Sequence, residues 1–219
     1  MKPSAFAMLM LMAGNDALGD EALGPRELHV SVCTNVTFAN SNDLNQIHFA
    51  DQEAARIFAT IGVKIDWRTR RCCPSAEAIE IDYQHLTPEE LRPRVLAFAF
   101  PFQKRRIVIL YDRVTELAAS NRMTVNRLLA YVLLHEITHV LQGVDTHSAS
   151  GIMKARWNYA DNYLMRSSTL GFTANDVHLI FAGNAAKNEA GAGLAAAGSA
   201  NLRRPVAEEG CHSRGCMNF

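Results

Sequence analysis

No stretch of the 219-residue sequence stays apolar for the ~18 residues that a membrane-spanning helix needs. No charge of one sign dominates: 22 Lys and Arg meet 22 Asp and Glu, a formal net charge of zero. A dedicated nucleic-acid binder carries a basic surplus, so nucleic acid is not an expected partner. Cysteine is scarce and odd in number, at positions 33, 72, 73, 211 and 216, so at most two disulfides form and one thiol is left over. No internal repeat is visible. Hydrophobic residues at 48% and charged residues at 20% describe a globular chain rather than a disordered one, and the length suits one compact domain.

The two ends differ from the middle. Residues 5–13 (AFAMLMLMA) are almost wholly apolar, follow a lone Lys2, and precede Ala-Leu-Gly tripeptides at 17–19 and 22–24. This is the outline of a secretory signal over residues 1–24, which implies a secreted or periplasmic protein. The bland alternative is a Met-rich disordered start on a cytoplasmic one. Export would favour a bridge from Cys33 to Cys72 or Cys73, and a tail loop closed by Cys211 and Cys216. In the cytosol all five thiols would be reduced. At the other end, residues 188–200 are mostly Ala and Gly and 201–219 lack periodicity, so 188–219 reads as a mobile tail. The folded domain is then 25–187.

Within it, Leu28, Val30 and Val32 alternate with polar neighbours, as on a half-buried strand. Ile47, Ala50, Ala54, Ile57 and Ile61 recur at three and four residues, as on an amphipathic helix, and Gly62 is a fitting stop. Alternation resumes at 63–68 and 79–84. Strand, helix, strand predicts a crossover between parallel strands. The segment 95–100 (VLAFAF) ends at Pro101 and suits an edge strand, whereas 107–111 (IVILY) is apolar throughout, as a central strand covered on both faces would be. A helix over about 124–142 has little polar face and should be buried. A last helix starts at Thr173-Ala174-Asn175-Asp176 and runs toward Lys187.

The buried helix contains His135-Glu136-Ile137-Thr138-His139. Two His at i and i+4 lie ~40° apart around a helix and ~6 Å apart along it, so both imidazoles can reach one ion. Glu136 sits beside the first His, where its carboxylate can act as a general base. The bland reading is a helix that shows these side chains to solvent. The neighbours at 133, 134, 137, 140 and 141 are apolar, and burying two His and a Glu without partners costs several kcal/mol. A zinc ion resolves that cost. Catalytic zinc normally takes three protein ligands. Gly143 can adopt the left-handed conformation that ends a helix and turns the chain back, which brings His147 within reach. Asp145 competes for the same place. His147 is favoured because imidazole is a common zinc ligand, which leaves Asp145 as an acceptor for a ligand imidazole.

The segment HEITHVLQGVDTHSASGIM resembles the metzincin clan of zinc peptidases, whose pattern HExxHxxGxxH precedes a Met-containing turn. Here the glycine comes one residue late and the third His two residues late. It is more similar to a group of bacterial secreted metallopeptidases with HExxHxxxGxxxHSxxGIM followed by a basic-Trp stretch, here Lys154-Ala155-Arg156-Trp157. The likeness spans about 27–185, including the helix around Glu53 to Phe58 and the Tyr111-Asp112-Arg113-Val114 segment. The resemblance implies an α+β zincin fold, in which a mixed twisted sheet and a packing helix lie above the active-site helix and a small helical lobe follows Met153. It implies Zn²⁺ on His135, His139 and His147, Glu136 as general base, Met153 in the turn, and a peptide or protein substrate. It also implies that the 95–100 strand pairs with an extended substrate, where the bland reading is a plain core strand.

Other features take ordinary readings. Tyr159 or Tyr163 could supply a second electrophile, but a partly buried Tyr is the default. Arg68, Arg70 and Arg71, and Lys104-Arg105-Arg106, are solvated loop charges. His212 between two tail cysteines is weak as a metal signal. The expected activity is that of a zinc-dependent endopeptidase; the alternatives are a zinc-binding module without catalysis and a zinc amide hydrolase acting on a non-protein substrate.

Overall fold

The computed structural model describes residues 27–37, 40–69, 73, 77–88, 91, 95–100 and 105–198, with only the backbone of 187–198. The expected signal segment, Arg70, Arg71, Cys72, Lys104 and the tail beyond 198, with its cysteines and His212, lie outside the described residues.

Alternation builds the first half of the molecule. β1 (Leu28–Val36) buries Leu28, Val30 and Val32, and α1 (Ser41–Ala59) follows it. Asn40 caps α1, its side-chain oxygen accepting from the Asn42 and Asp43 amides. Gly62, at φ 80°, turns the chain into β2 (Val63–Thr69), which runs parallel to β1 as expected of a crossover. β3 (Ile79–Gln84) joins β1 on its other side, also parallel. β5 (Arg106–Leu110) lies parallel to β3, and β4 (Ala97–Phe100) closes the sheet antiparallel to β5. The strand order is β2-β1-β3-β5-β4, so β4 is an edge, as the proline after it suggested. A disulfide joins Cys33 on β1 to Cys73 ahead of β3.

The helical half sets one buried rod against this sheet. α2 (Tyr111–Ser120) starts directly from β5, where the sequence suggested that Tyr111 still belonged to the strand. The reason is a change of period: Tyr111, Val114 and Ala118 are buried at helical spacing. α3 (Val125–Gln142) is buried without a break from Leu128 to Gln142. It ends as expected, with Gly143 left-handed at φ 68° and its N–H on the His139 carbonyl at 2.9 Å. Aliphatic side chains such as Leu128, Leu129 and Leu133 each contribute about 1.5–3 kcal/mol by leaving water, which anchors the helix against Phe58 and the sheet.

α4 (Tyr159–Arg166) is a short element of the C-terminal lobe, fixed by a capping box between Asn158 and Asp161. α5 (Ala174–Gly198) corrects the sequence reading, which ended this helix near Lys187 and placed 188–198 in the tail. Alanine is the best helix former, so the Ala-rich run propagates the helix despite its glycines.

Candidate metal centre

α3 carries His135, Glu136 and His139 on one turn at its buried end. After Gly143 the chain doubles back and delivers His147. The ring centroids of His135 and His139, His135 and His147, and His139 and His147 are 4.7, 5.2 and 4.9 Å apart. One nitrogen from each ring falls within 4.8 Å of the others. The structure brings together the three His that the sequence favoured. Asp145 is not in the cluster; it stands exposed on the wall of the same cleft.

The backbone sets the tautomers. His135 Nδ1 donates to the Ile152 carbonyl at 2.9 Å, and His139 Nδ1 donates to the Val144 carbonyl at 3.0 Å. Each Nε2 is left as a bare acceptor aimed inward. The two Nε2 atoms are 3.1 Å apart, so two lone pairs face each other in a buried place. Only a shared cation or proton makes that contact favourable. Tetrahedral zinc with bonds of about 2.0–2.1 Å sets its nitrogens about 3.3 Å apart, so the donor set fits zinc. Burial pushes His135 down to about 4, reinforced by His139 and His147, and outweighs the Ile152 carbonyl, which raises it. Burial also lowers His139. Both imidazoles are then neutral near pH 7, the form that ligates a metal.

Glu136 faces the same open cleft of about 200 Å³, beside Ala97 and Ala99 of β4. Burial pushes its carboxyl up to about 7, while the Ala99 backbone amide favours the charged form. A carboxyl held in that range is suited to accept and return a proton.

The turn after His147 holds the cluster from below. Ser148 N–H donates to the Met153 carbonyl at 2.8 Å, and Gly151 takes φ 76°. A Cβ on Gly151 would stand 2.6 Å from the Gly171 carbonyl oxygen, so only glycine fits there. Met153 is buried in the core. Trp157 supports the turn: its Nε1–H donates to the Ile152 carbonyl at 3.2 Å, and its ring meets His135 edge-on at 5.6 Å. Lys154 pairs with Asp161 at 2.6 Å, tying the turn to α4. The basic-Trp stretch is therefore a brace for His135.

Asp176 is the supporting residue that sequence reasoning missed. Its carboxylate accepts from the Ser148 hydroxyl, next to His147, and from the Thr173 amide at 2.8 Å. Its backbone carbonyl accepts from Gln142 Nε2 at 3.1 Å. The signal was visible as the Thr173-Ala174-Asn175-Asp176 helix start, but helix capping alone explained it. Tyr159 and Tyr163 are exposed on α4 and do not line the cleft.

No protein-family model matches the chain. No curated protein matches it either. Among solved structures, the chain is similar in outline to archaemetzincin from Methanopyrus kandleri, at 14% identity and a TM-score of 0.47, over 74% of this chain and 98% of that one. No residue's role is carried across at that distance.

Proposed function

We propose that this protein is a zinc-dependent metallopeptidase that holds zinc on His135, His139 and His147 and cleaves peptide bonds. The observation that carries the reading is the pair of inward Nε2 acceptors 3.1 Å apart, completed by His147 and bordered by Glu136 in an open cleft. Zinc bound there supplies Lewis acidity to a carbonyl and acidifies a water toward pKa ~7. Glu136 takes the proton from the attacking water and returns it to the leaving amine.

The edge strand supplies the substrate platform. The Leu110 N–H donates to the Leu96 carbonyl at 2.8 Å, which marks 96 and 110 as a hydrogen-bonded pair. Alternation along an antiparallel ladder then turns the amides and carbonyls of Ala97 and Ala99 away from β5, toward the open edge. An extended peptide adds to such an edge as a further strand. The Cys33–Cys73 bridge supports an oxidising compartment, in keeping with a secreted or periplasmic enzyme.

The test is zinc per chain and turnover on a peptide library, native beside Glu136→Gln. We expect about one zinc in both proteins, and cleavage in the native protein only, with a loss of at least ~100-fold in the variant. Equal zinc with no cleavage by either protein points to a binding module. Hydrolysis confined to non-peptide amides points to a different hydrolase.

A further inference from the structure

The Tyr111-Asp112-Arg113-Val114 segment lies outside the metal centre, yet its two charged residues reach the same stretch of chain. Asp112 sits in the first turn of α2. Its carboxylate accepts from the Thr87 amide at 2.9 Å and from the Thr87 hydroxyl at 2.7 Å. Arg113 donates through Nη1 to the Val95 carbonyl and through Nη2 to the Leu91 carbonyl, both at 3.1 Å. Successive helix residues point ~100° apart, so the pair grips the connection from β3 to β4 at two separate places. Asp112 holds its start and Arg113 its end, where β4 begins.

β4 needs that grip. It has four residues, and among the described residues only β5 pairs with it. Its ladder bonds occur at alternate residues, so few of them fix its height above α3. A planar guanidinium that reaches two carbonyls fixes both distance and angle. α2 continues directly from β5, so the clamp ties β4 to the continuation of the strand with which it pairs.

We propose that Asp112 and Arg113 are positioning residues for the substrate, which hold β4 so that the Ala97 and Ala99 backbone groups stand at the right height over the three-His cleft. This rests on the peptidase reading. The experiment compares the full chain with Arg113→Gln, Arg113→Lys and Asp112→Ala. The readouts are zinc per chain, hydrogen exchange of the Phe98 and Phe100 ladder amides, and steady-state kinetics on a peptide that the native protein cleaves. In Arg113→Gln we expect unchanged zinc, β4 exchange at least ~10-fold faster with β1 and α3 unaffected, and KM raised ~10-fold with a smaller fall in kcat, because the Ala99 amide of β4 also acts on Glu136. Arg113→Lys, which keeps one charged donor, should fall between the two. Unchanged β4 exchange overturns the proposal, as does a loss in kcat with KM intact. If the native protein cleaves no peptide, the peptidase reading fails on its own, and hydrogen exchange alone still decides whether the clamp holds β4. If Arg113→Gln does not fold, Arg113→Lys and Asp112→Ala decide by the same readouts.

Discussion

A methyl group at Gly183 would strike the end of α3. A Cβ there stands 2.5 Å from the Gln142 carbonyl oxygen, 2.6 Å from that of Leu141 and 2.8 Å from the Gln142 carbonyl carbon. Ordinary contact begins near 3.4 Å, so α5 and the last turn of α3 must part by roughly 0.9 Å. Both sides are backbone, and no flexible tip can give way. Overpacking of this kind costs about 1–3 kcal/mol, and the better helix propensity of Ala returns about 1 kcal/mol. A net loss of up to about 2 kcal/mol lowers Tm by up to roughly 8 °C for a chain of this size. The functional effect should be the larger one. Gln142 lies three residues past His139, and its side chain bonds the Asp176 carbonyl, which shares a residue with the carboxylate that holds Ser148. Parting the helices therefore moves His139 relative to His147. Zinc affinity, measured by competition with a chromophoric chelator, should fall about 10- to 100-fold in Gly183→Ala. Gly171→Ala is the control, because a Cβ there meets nothing within 4 Å. If Gly183→Ala melts at or above the native temperature with undiminished zinc affinity, the close approach of α5 does not set the cluster.

Chelation should destabilise the fold as well as stop turnover. At free zinc 1,000-fold above Kd, binding adds about 4 kcal/mol, so thermal melts with and without a chelator should differ by roughly 8–16 °C. A difference under about 2 °C would mean that the cluster does not hold the metal tightly. Asp51 gives a pH prediction. Burial raises its carboxyl well above the ordinary value of 3.8, and its Oδ1 has no hydrogen-bond partner. The folded chain keeps a proton that the unfolded chain has released, so this stability is complete below the unfolded value and is lost as pH rises through the folded one. Urea midpoints should therefore fall more from pH 5 to pH 8 in the native protein than in Asp51→Asn. Taking the difference between the proteins cancels groups of opposite slope, such as Glu53, which its Arg56 hydrogen bond holds low. Reduction of the Cys33–Cys73 bridge, which spans 40 residues, should cost up to about 4 kcal/mol by loop entropy, read as a lower urea midpoint in a reducing buffer.

How much the sequence reveals depends on the range of the interaction. Alternation and helical spacing are local, so β1, α1, β2, β3 and α3 are legible, and Gly143 even announces its conformation. The metal-binding pair is legible because i and i+4 on one helix fix a geometry without any knowledge of the fold. The turn of α2 out of β5 was hidden because IVILY runs apolar across the junction. Apart from the bridge from Cys33 and the β1–β2 crossover, contacts that cross the chain were hidden. Nothing local links Asp176 to Ser148 or Arg113 to Val95, because each pair meets only when separate elements pack. The same holds for Ile152, whose carbonyl serves both His135 and Trp157 while its side chain reads as plain core.

The late arrival of His147 has a geometric explanation. Against the spacing HxxGxxH, this chain inserts one residue before the glycine and one after it. The first lengthens α3, which rotates the exit point by about 100° and advances it about 1.5 Å. The second lengthens the return, and residues 144–146 can span up to about 10 Å when extended. The return is tied at both ends. Val144 gives its carbonyl to His139, and Ser148 is held by the Met153 carbonyl and Asp176. Both insertions are thus taken up between fixed points, and the third imidazole reaches the same cluster by a longer path. Asp145 stands on the crest of that path, exposed, where its carboxylate meets the cleft from the rim. A carboxylate so placed raises the proton affinity of His139 through space without joining the ligand set.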